Sequence, residues 1–210
     1  MKYIFFDLDG TLVNSEKGIK AAFRHTFDRL AIPCPDDKIL SSFIGPPLES
    51  SFANLVDPDQ INTALTIFRD YYKKKGVYEV ELYPGIEELL EKLKNQGYFI
   101  YITTSKNQPM AEKMMDFLNI NHYFHGIFGA LPDSYHKADV LSRALLSCQA
   151  DLQISVIIGD TSFDMVGGKT VGISCIGVTW GFGSPEELLQ SGADRLAETP
   201  TQLVNLLSTF

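Results

Sequence analysis

Ile4-Phe5-Phe6-Asp7-Leu8-Asp9-Gly10-Thr11-Leu12-Val13 is the stretch on which the rest of the chain turns. A short apolar and aromatic run that ends in two carboxylates and a glycine reads as a buried strand opening into a site. Asp7 and Asp9 are two apart, so on extended backbone they share a face, and at a strand end they converge on one small volume. Carboxylates that close repel each other. They stay charged together only beside a cation; otherwise one of them holds a proton. Gly10 permits a turn that other residues resist, and Thr11 adds a hydroxyl. A strand closed by a polar turn accounts for one aspartate and the glycine, but not for the second aspartate with threonine behind the glycine.

Downstream, Ile19, Ala22, Phe23, Thr26, Phe27 and Leu30 recur at helical spacing and predict a helix over 15–31, stopped by Pro33 and Pro35. Further helices are expected over 36–43, 48–55 and 60–75, the first two of these separated by the rigid Gly45-Pro46-Pro47 turn. Ile61, Ala64, Leu65, Phe68, Tyr71 and Tyr72 make one apolar stripe on the last of them. Nothing between 15 and 80 reads as strand, which predicts a small all-helical domain inserted into the chain.

From Glu81 the pattern changes. Pro84-Gly85 precedes a helix carrying Ile86, Leu89, Leu90 and Leu93, ended by Gly97. Strands over 99–103, 127–129, 154–158 and 174–178 then alternate with helices starting at Pro109 and running over 137–148, up to 171, over 185–190 and after Pro200. The first of these strands is expected to end in a polar turn, Thr104-Ser105-Lys106-Asn107. Such alternation implies an α/β fold: a Rossmann-like, doubly wound parallel sheet covered on both faces, with right-handed crossovers. The core domain would comprise 1–14 and 81–210, and the helical insert 15–80.

Composition narrows the function. The chain has 210 residues, 45% apolar and 21% charged, which is ordinary for a folded protein and far from disorder. No apolar run is long enough to cross a bilayer, and Met1 and Lys2 run straight into the first strand with no charged-then-apolar leader, so the expected location is the cytoplasm. A net charge of −8 argues against partners such as a nucleic acid polymer or an anionic membrane. An anionic substrate would need local positive charge from a metal ion and a few placed lysines. Cys34, Cys148 and Cys175 have no metal-ligand or CxxC spacing; Cys148 and Cys175 are expected in the core. The four histidines show no ligand spacing either.

In an open parallel sheet, ligands bind beyond the carboxyl ends of the strands. The residues delivered there are Asp7 and Asp9; Thr104, Ser105 and Lys106; and Gly159, Asp160 and, four residues on, Asp164, while Lys137 opens a helix. Acids, hydroxyls and a lysine suit phosphoryl chemistry. Asp7, Asp160 and a backbone carbonyl form an oxygen donor set for Mg²⁺. A phosphate dianion would sit against the metal, Lys137, Thr104 and backbone N–H groups.

The set Asp7-Leu8-Asp9-Gly10-Thr11, Thr104-Ser105-Lys106, Lys137 and Gly159-Asp160-Thr161-Ser162-Phe163-Asp164 resembles the four motifs of the haloacid-dehalogenase-like superfamily of phosphatases, in order and across the whole chain. The helical insert resembles that family's cap domain. The resemblance implies that Asp7 is the nucleophile and forms an aspartyl-phosphate. Asp9 would be the general acid and then base, its carbonyl also binding Mg²⁺. It further implies that Thr104 and the Ser105 amide bind phosphoryl oxygens, that Lys137 neutralises charge, that Asp160 is a metal ligand, and that Asp164 supports the metal's waters or Lys137 from behind. Phosphoglycolate phosphatases and 5′-nucleotidase-like phosphatases are the nearest look-alikes, so the implied partner is a small phosphorylated metabolite and the implied state a monomer or small homo-oligomer. Ile44-Gly45-Pro46-Pro47-Leu48 resembles their cap loop. His136-Lys137-Ala138-Asp139-Val140 resembles the nucleotidase-like branch, since Ala138 stands where phosphoglycolate-type members more often have proline. Asn14 stands where many relatives carry aspartate.

Three alternatives remain at this level. A dehalogenase would not use the acid at Asp9. A sugar phosphomutase keeps both aspartates and returns the phosphoryl group to a sugar. A non-enzymatic phospho-acceptor module also uses an aspartate cluster with threonine and lysine, but on a later strand and without a helical insert. Hinges are expected near 14–15 and 80–82, and specificity in the insert, where Arg24, Glu49 and Arg69 are candidates.

Overall fold

Alternate residues of the first strand face two different cores, and the sheet is built on that fact. The computed structural model describes residues 2–132 and 134–209. Its strands are β1 (Tyr3–Phe6), β2 (Val13–Asn14), β3 (Glu81–Leu82), β4 (Phe99–Asn107), β5 (Gly126–Ala130), β6 (Ser155–Gly159), β7 (Ser174–Val178) and β8 (Arg195–Ala197). The helices are α1 (Glu16–Leu30), α2 (Asp37–Ser41), α3 (Leu48–Ala53), α4 (Ile61–Lys74), α5 (Ile86–Asn95), α6 (Gln108–Leu118), α7 (Lys137–Ser147), α8 (Ser162–Val171), α9 (Pro185–Gln190) and α10 (Pro200–Ser208). Six strands pair in the order β5-β4-β1-β6-β7-β8, all parallel. Ile4 and Phe6 pack with Ile100, Ile102, Val156 and Ile158 on one face, beneath α5, α6 and α10. Phe5, Tyr101, Ile157 and Cys175 pack on the other with Leu141 and Leu145 of α7 and Met165 of α8. Strands buried on both sides read as unbroken apolar runs, which is why these were legible. No described helix is long and apolar enough to cross a membrane.

The chain leaves β1, returns as β4 and β5 on one side, then builds β6, β7 and β8 on the other. The order reverses at β1, so the carboxyl ends of β4, β1 and β6 border the switch-point crevice where ligands bind in such sheets.

Helices α1 to α4 fall between β2 and β3, which pair antiparallel through Val13 with Leu82 and Asn14 with Glu81. The two predicted hinge regions are thus hydrogen-bonded to each other. Inside the helical segment Phe23 stacks edge-on to Phe68 (centroids 4.8 Å) and tilts against Phe52 at 5.2 Å. Phe52 is fully buried. Phe52→Ala is expected to cost about 3–5 kcal/mol, read as a lower urea midpoint. Gly18 of α1 lies against Gly76 so closely that a Cβ would overlap the Gly76 carbonyl.

The structure departs from expectation in four places. The segment 104–107 is extended, not a turn: β4 runs on through Thr104, Ser105 and Lys106, with its register to β5 shifted between Thr103 and Asn107. That shift frees the backbone of the motif from pairing. β8 was not foreseen because three half-polar residues carry no periodic signal. The two-residue β2 and β3 were missed for the same reason. Cys148 caps the end of α7, half-buried, its Sγ–H directed at the Ala144 carbonyl (2.7 Å), rather than lying in the core; Cys175 is fully buried.

Candidate active site

Asp7 follows β1, its N–H still donating to the Ile158 carbonyl of β6 (2.8 Å). The chain then turns sharply. The Leu8 carbonyl accepts from Thr11, Leu12 and Val13, and Gly10 takes φ +89°, where a Cβ would overlap the Asp160 carboxylate. This turn aims both Asp7 and Asp9 at one crevice.

Lys137, the first residue of α7, is only 6% exposed. Its ammonium meets Asp7 Oδ1 at 2.5 Å, Asp164 Oδ1 at 2.7 Å and donates to the Thr103 carbonyl at 2.8 Å. Burial opposes the ammonium, but the two aspartates more than offset it and hold the lysine above its ordinary pKa.

Asp160 follows β6 and is fully buried. Its Oδ1 accepts from the Thr11 hydroxyl (2.8 Å) and its Oδ2 from the Phe182 N–H (2.9 Å). The loop carrying Phe182 is pinned in turn by Trp180, whose indole N–H donates to the Thr11 carbonyl (2.9 Å). Trp180 therefore buttresses the turn that carries Asp9. Asp164 uses Oδ2 to accept from the Thr161 N–H and hydroxyl (3.1 and 2.9 Å), a capping box for α8, and turns Oδ1 to Lys137.

Asp7, Asp160 and Asp164 each offer a carboxylate oxygen within 4.8 Å of the others. Of these three buried carboxylates, two pair with the Lys137 ammonium. Burial pushes Asp7 up to about 7, with Asp164 and Asp9 adding to the shift against Lys137; burial and then Asp7 and Asp164 raise Asp160. An all-oxygen, buried, charge-excess cluster fits a hard divalent cation. Saturating MgCl₂ is expected to raise the melting temperature by roughly 5–10 °C, from about 2.7 kcal/mol at a hundred times Kd, and Asp160→Asn to remove most of that gain in differential scanning fluorimetry.

Asp9 lies outside that cluster. Its Oδ1 accepts from the Ser15 hydroxyl and its Oδ2 pairs with Lys106 Nζ at 2.9 Å. Lys106 also donates to the Tyr72 hydroxyl (2.8 Å). Thr104 is buried, its Oγ1 accepting from the Lys106 N–H (3.1 Å), and Ser105 is half-buried beside it. Asp7, Asp9, Thr104, Ser105 and Lys106 together line a cavity of about 650 Å³ that runs up between the sheet and the helical segment.

The predicted residues therefore converge: Asp7, Lys137, Asp160 and Asp164 in one buried cluster, Asp9, Thr104 and Ser105 on the adjoining cavity wall. Of the helical-segment candidates, Glu49 and Arg69 pair with each other on that wall, while Arg24 pairs with Asp37 and faces a different hollow. His136 is exposed and precedes α7 as its cap residue. Sequence reasoning missed Ser15, Tyr72 and the working role of Lys106. Ser15 carried a signal as the residue preceding a helix, and Thr161-x-x-Asp164 was readable as a capping box; Tyr72 carried none beyond its place in an apolar stripe.

Comparisons with known proteins agree with this geometry. A haloacid dehalogenase-like family hydrolase from Streptococcus pneumoniae is 47% identical, with a TM-score of 0.94 over 98% of both chains. A "predicted phosphatase" from Clostridium acetobutylicum is 33% identical, with a TM-score of 0.95 over 100% of this chain and 99% of that one. A 5′-nucleotidase from Pseudomonas aeruginosa is 35% identical over 189 residues, 88% of this chain and 86% of its own. Residues 4–178 match the family described as haloacid dehalogenase-like hydrolase. The match runs from the first buried residue of β1 to the last of β7, and the chain is a member of that family.

Proposed function

We propose that this protein hydrolyses phosphate monoesters through a phosphoryl group carried on Asp7. One observation supports this above the rest: two aspartates on a single turn open into the same cavity, one against Lys137 and the carboxylate cluster, the other against Lys106. In this reading an Asp7 oxygen attacks phosphorus and the bond to the ester oxygen breaks, while Asp9 gives its proton to the leaving alcohol. Water then attacks the aspartyl-phosphate at phosphorus, Asp9 takes its proton, and Asp7 is restored as carboxylate with inorganic phosphate released. Thr104 and the Ser105 N–H hold phosphoryl oxygens, and Lys137 keeps the Asp7 region neutral. Asp7, Asp160 and the Asp9 carbonyl would hold Mg²⁺, with Asp164 behind them. When bound, the cation supplies neutralisation of the phosphoryl oxygens. The core is 1–14 and 81–210, and segment 15–80 acts as a cap that excludes water.

The cavity also favours one substrate class. Phe23, Phe43, Ile44, Leu48, Phe68 and Tyr135 give it an apolar, largely aromatic wall. Of the cations on that wall, Lys106 and Arg69 are already paired with Asp9 and Glu49, and Lys73 is solvent-exposed on α4. A second carboxylate, as in phosphoglycolate, finds little to answer it there, whereas a nucleoside body stacks on aromatic rings. A nucleoside 5′-monophosphate is the substrate this supports, in line with the name of the Pseudomonas aeruginosa relative.

The test is phosphate release from nucleoside 5′-monophosphates, phosphoglycolate and sugar phosphates, ranked by kcat/KM with Mg²⁺ and with chelator. Chelator-sensitive turnover with nucleotides ahead of phosphoglycolate is expected. No release from any ester, or conversion of a sugar 1-phosphate to its 6-phosphate without release, would overturn the reading.

A further inference from the structure

Asp7 and Asp9 are anchored by different parts of the molecule. Asp7 is fixed from within the sheet-bearing part, by Lys137. Both anchors of Asp9 come from or through the helical segment. The Ser15 hydroxyl on Oδ1 belongs to the residue that caps α1, at the start of that segment. Lys106 on Oδ2 belongs to β4 but is itself held by Tyr72, near the end of α4. Tyr72 meets the lysine twice: its hydroxyl accepts from Nζ at 2.8 Å, and its ring lies beneath the same ammonium with the centroid 4.6 Å away. A lysine and a phenol buried to this degree need partners, and each is the other's.

We propose that Tyr72 and Lys106 are positioning residues that orient the Asp9 carboxyl for proton transfer and make that orientation depend on the helical segment being seated on the sheet. The inference rests on Asp9 as proton donor and acceptor. When α4 lifts away, Lys106 loses its phenol and Asp9 loses a fixed direction for Oδ2. Proton delivery is thereby confined to the seated state. Further points of seating are the 44–47 turn, where Gly45 lies on Thr161 so closely that a Cβ would crowd its methyl group, and Lys113 of α6, which donates to the Lys73 carbonyl (2.7 Å).

A leaving-group comparison separates positioning from mere stability. The 4-nitrophenolate ion departs without protonation, but an alkoxide does not, so loss of a well-placed acid penalises alkyl esters selectively. The value of kcat/KM reports steps up to phosphoryl transfer to Asp7, which is the step at issue. Tyr72→Phe keeps the ring and removes the hydroxyl; Lys106→Met removes the charge. For an alkyl phosphate we expect kcat/KM to fall about tenfold in Tyr72→Phe and about a hundredfold in Lys106→Met, with less than about threefold change for 4-nitrophenyl phosphate in either. Asp9→Asn sets the limit and must show the same selectivity more strongly. Equal losses on both esters in Tyr72→Phe and Lys106→Met, or no loss, would overturn the proposal while selective loss in Asp9→Asn upheld the role of Asp9. Absence of selectivity in Asp9→Asn would remove that role and the proposal together. Melting curves of each variant exclude misfolding as the source of a uniform loss.

Discussion

Asp7→Asn is expected to lower phosphate release on the order of 10⁴-fold or more, at unchanged or slightly higher stability. The carboxylate oxygen is the attacking atom in the reaction proposed here, and an amide oxygen is a poor nucleophile. The substitution nearly preserves shape and removes one of three buried like charges, so the protein should fold and should tolerate the loss of its Lys137 partner better than a truncation would. The second measurement is trapping: beryllium fluoride should form an adduct on the wild-type protein with Mg²⁺, seen by ¹⁹F NMR, and none on Asp7→Asn. Near-normal turnover by the variant would remove the covalent mechanism.

Lys137→Met should be nearly as severe and should also strike the fold. The lysine is the positive charge shared by Asp7 and Asp164 in a place that water scarcely reaches. Removing one partner of a buried ion pair typically costs about 3–5 kcal/mol, because the remaining charges are stranded. Activity should fall about 10³-fold, as when a fixed electrostatic stabiliser is lost from a site. The two effects separate with metal: MgCl₂ should recover more of the melting temperature in Lys137→Met than in the wild type, while leaving the activity deficit largely in place. A variant as stable as wild type without metal would mean that the cluster does not carry the charge excess described.

Much of this was legible from the chain. β1 and its turn announced themselves because an apolar run ending in Asp-x-Asp-Gly-Thr has few structural uses, and the helices because their apolar positions repeat. The convergence of Asp7 and Asp160 follows from topology, since strand ends meet at the switch point; Lys137, at the start of a helix, comes in through its spacing from the other motifs. What stayed hidden depended on distant partners. Trp180 and Thr11 are 169 positions apart, and Lys106 and Tyr72 are 34 apart, so no local spacing links them. Lys106 was visible at a strand end, yet its bond to Asp9 needed the extended course of 104–107, which a polar sequence disguised as a turn. Tyr72 reads as apolar in a stripe with Ile61, Ala64, Leu65 and Phe68; its hydroxyl takes on meaning only beside the buried ammonium of Lys106.

The pairing of Asn14 with Glu81 means that the helical segment departs and returns through neighbouring residues, with Cα atoms about 5 Å apart as in any antiparallel pair. A foreign insert with similarly close termini can be grafted at that ribbon without rerouting a single strand of the sheet. Such an exchange keeps the sheet intact, and an insert that lacks counterparts of Ser15 and Tyr72 would leave Asp9 without its present anchors.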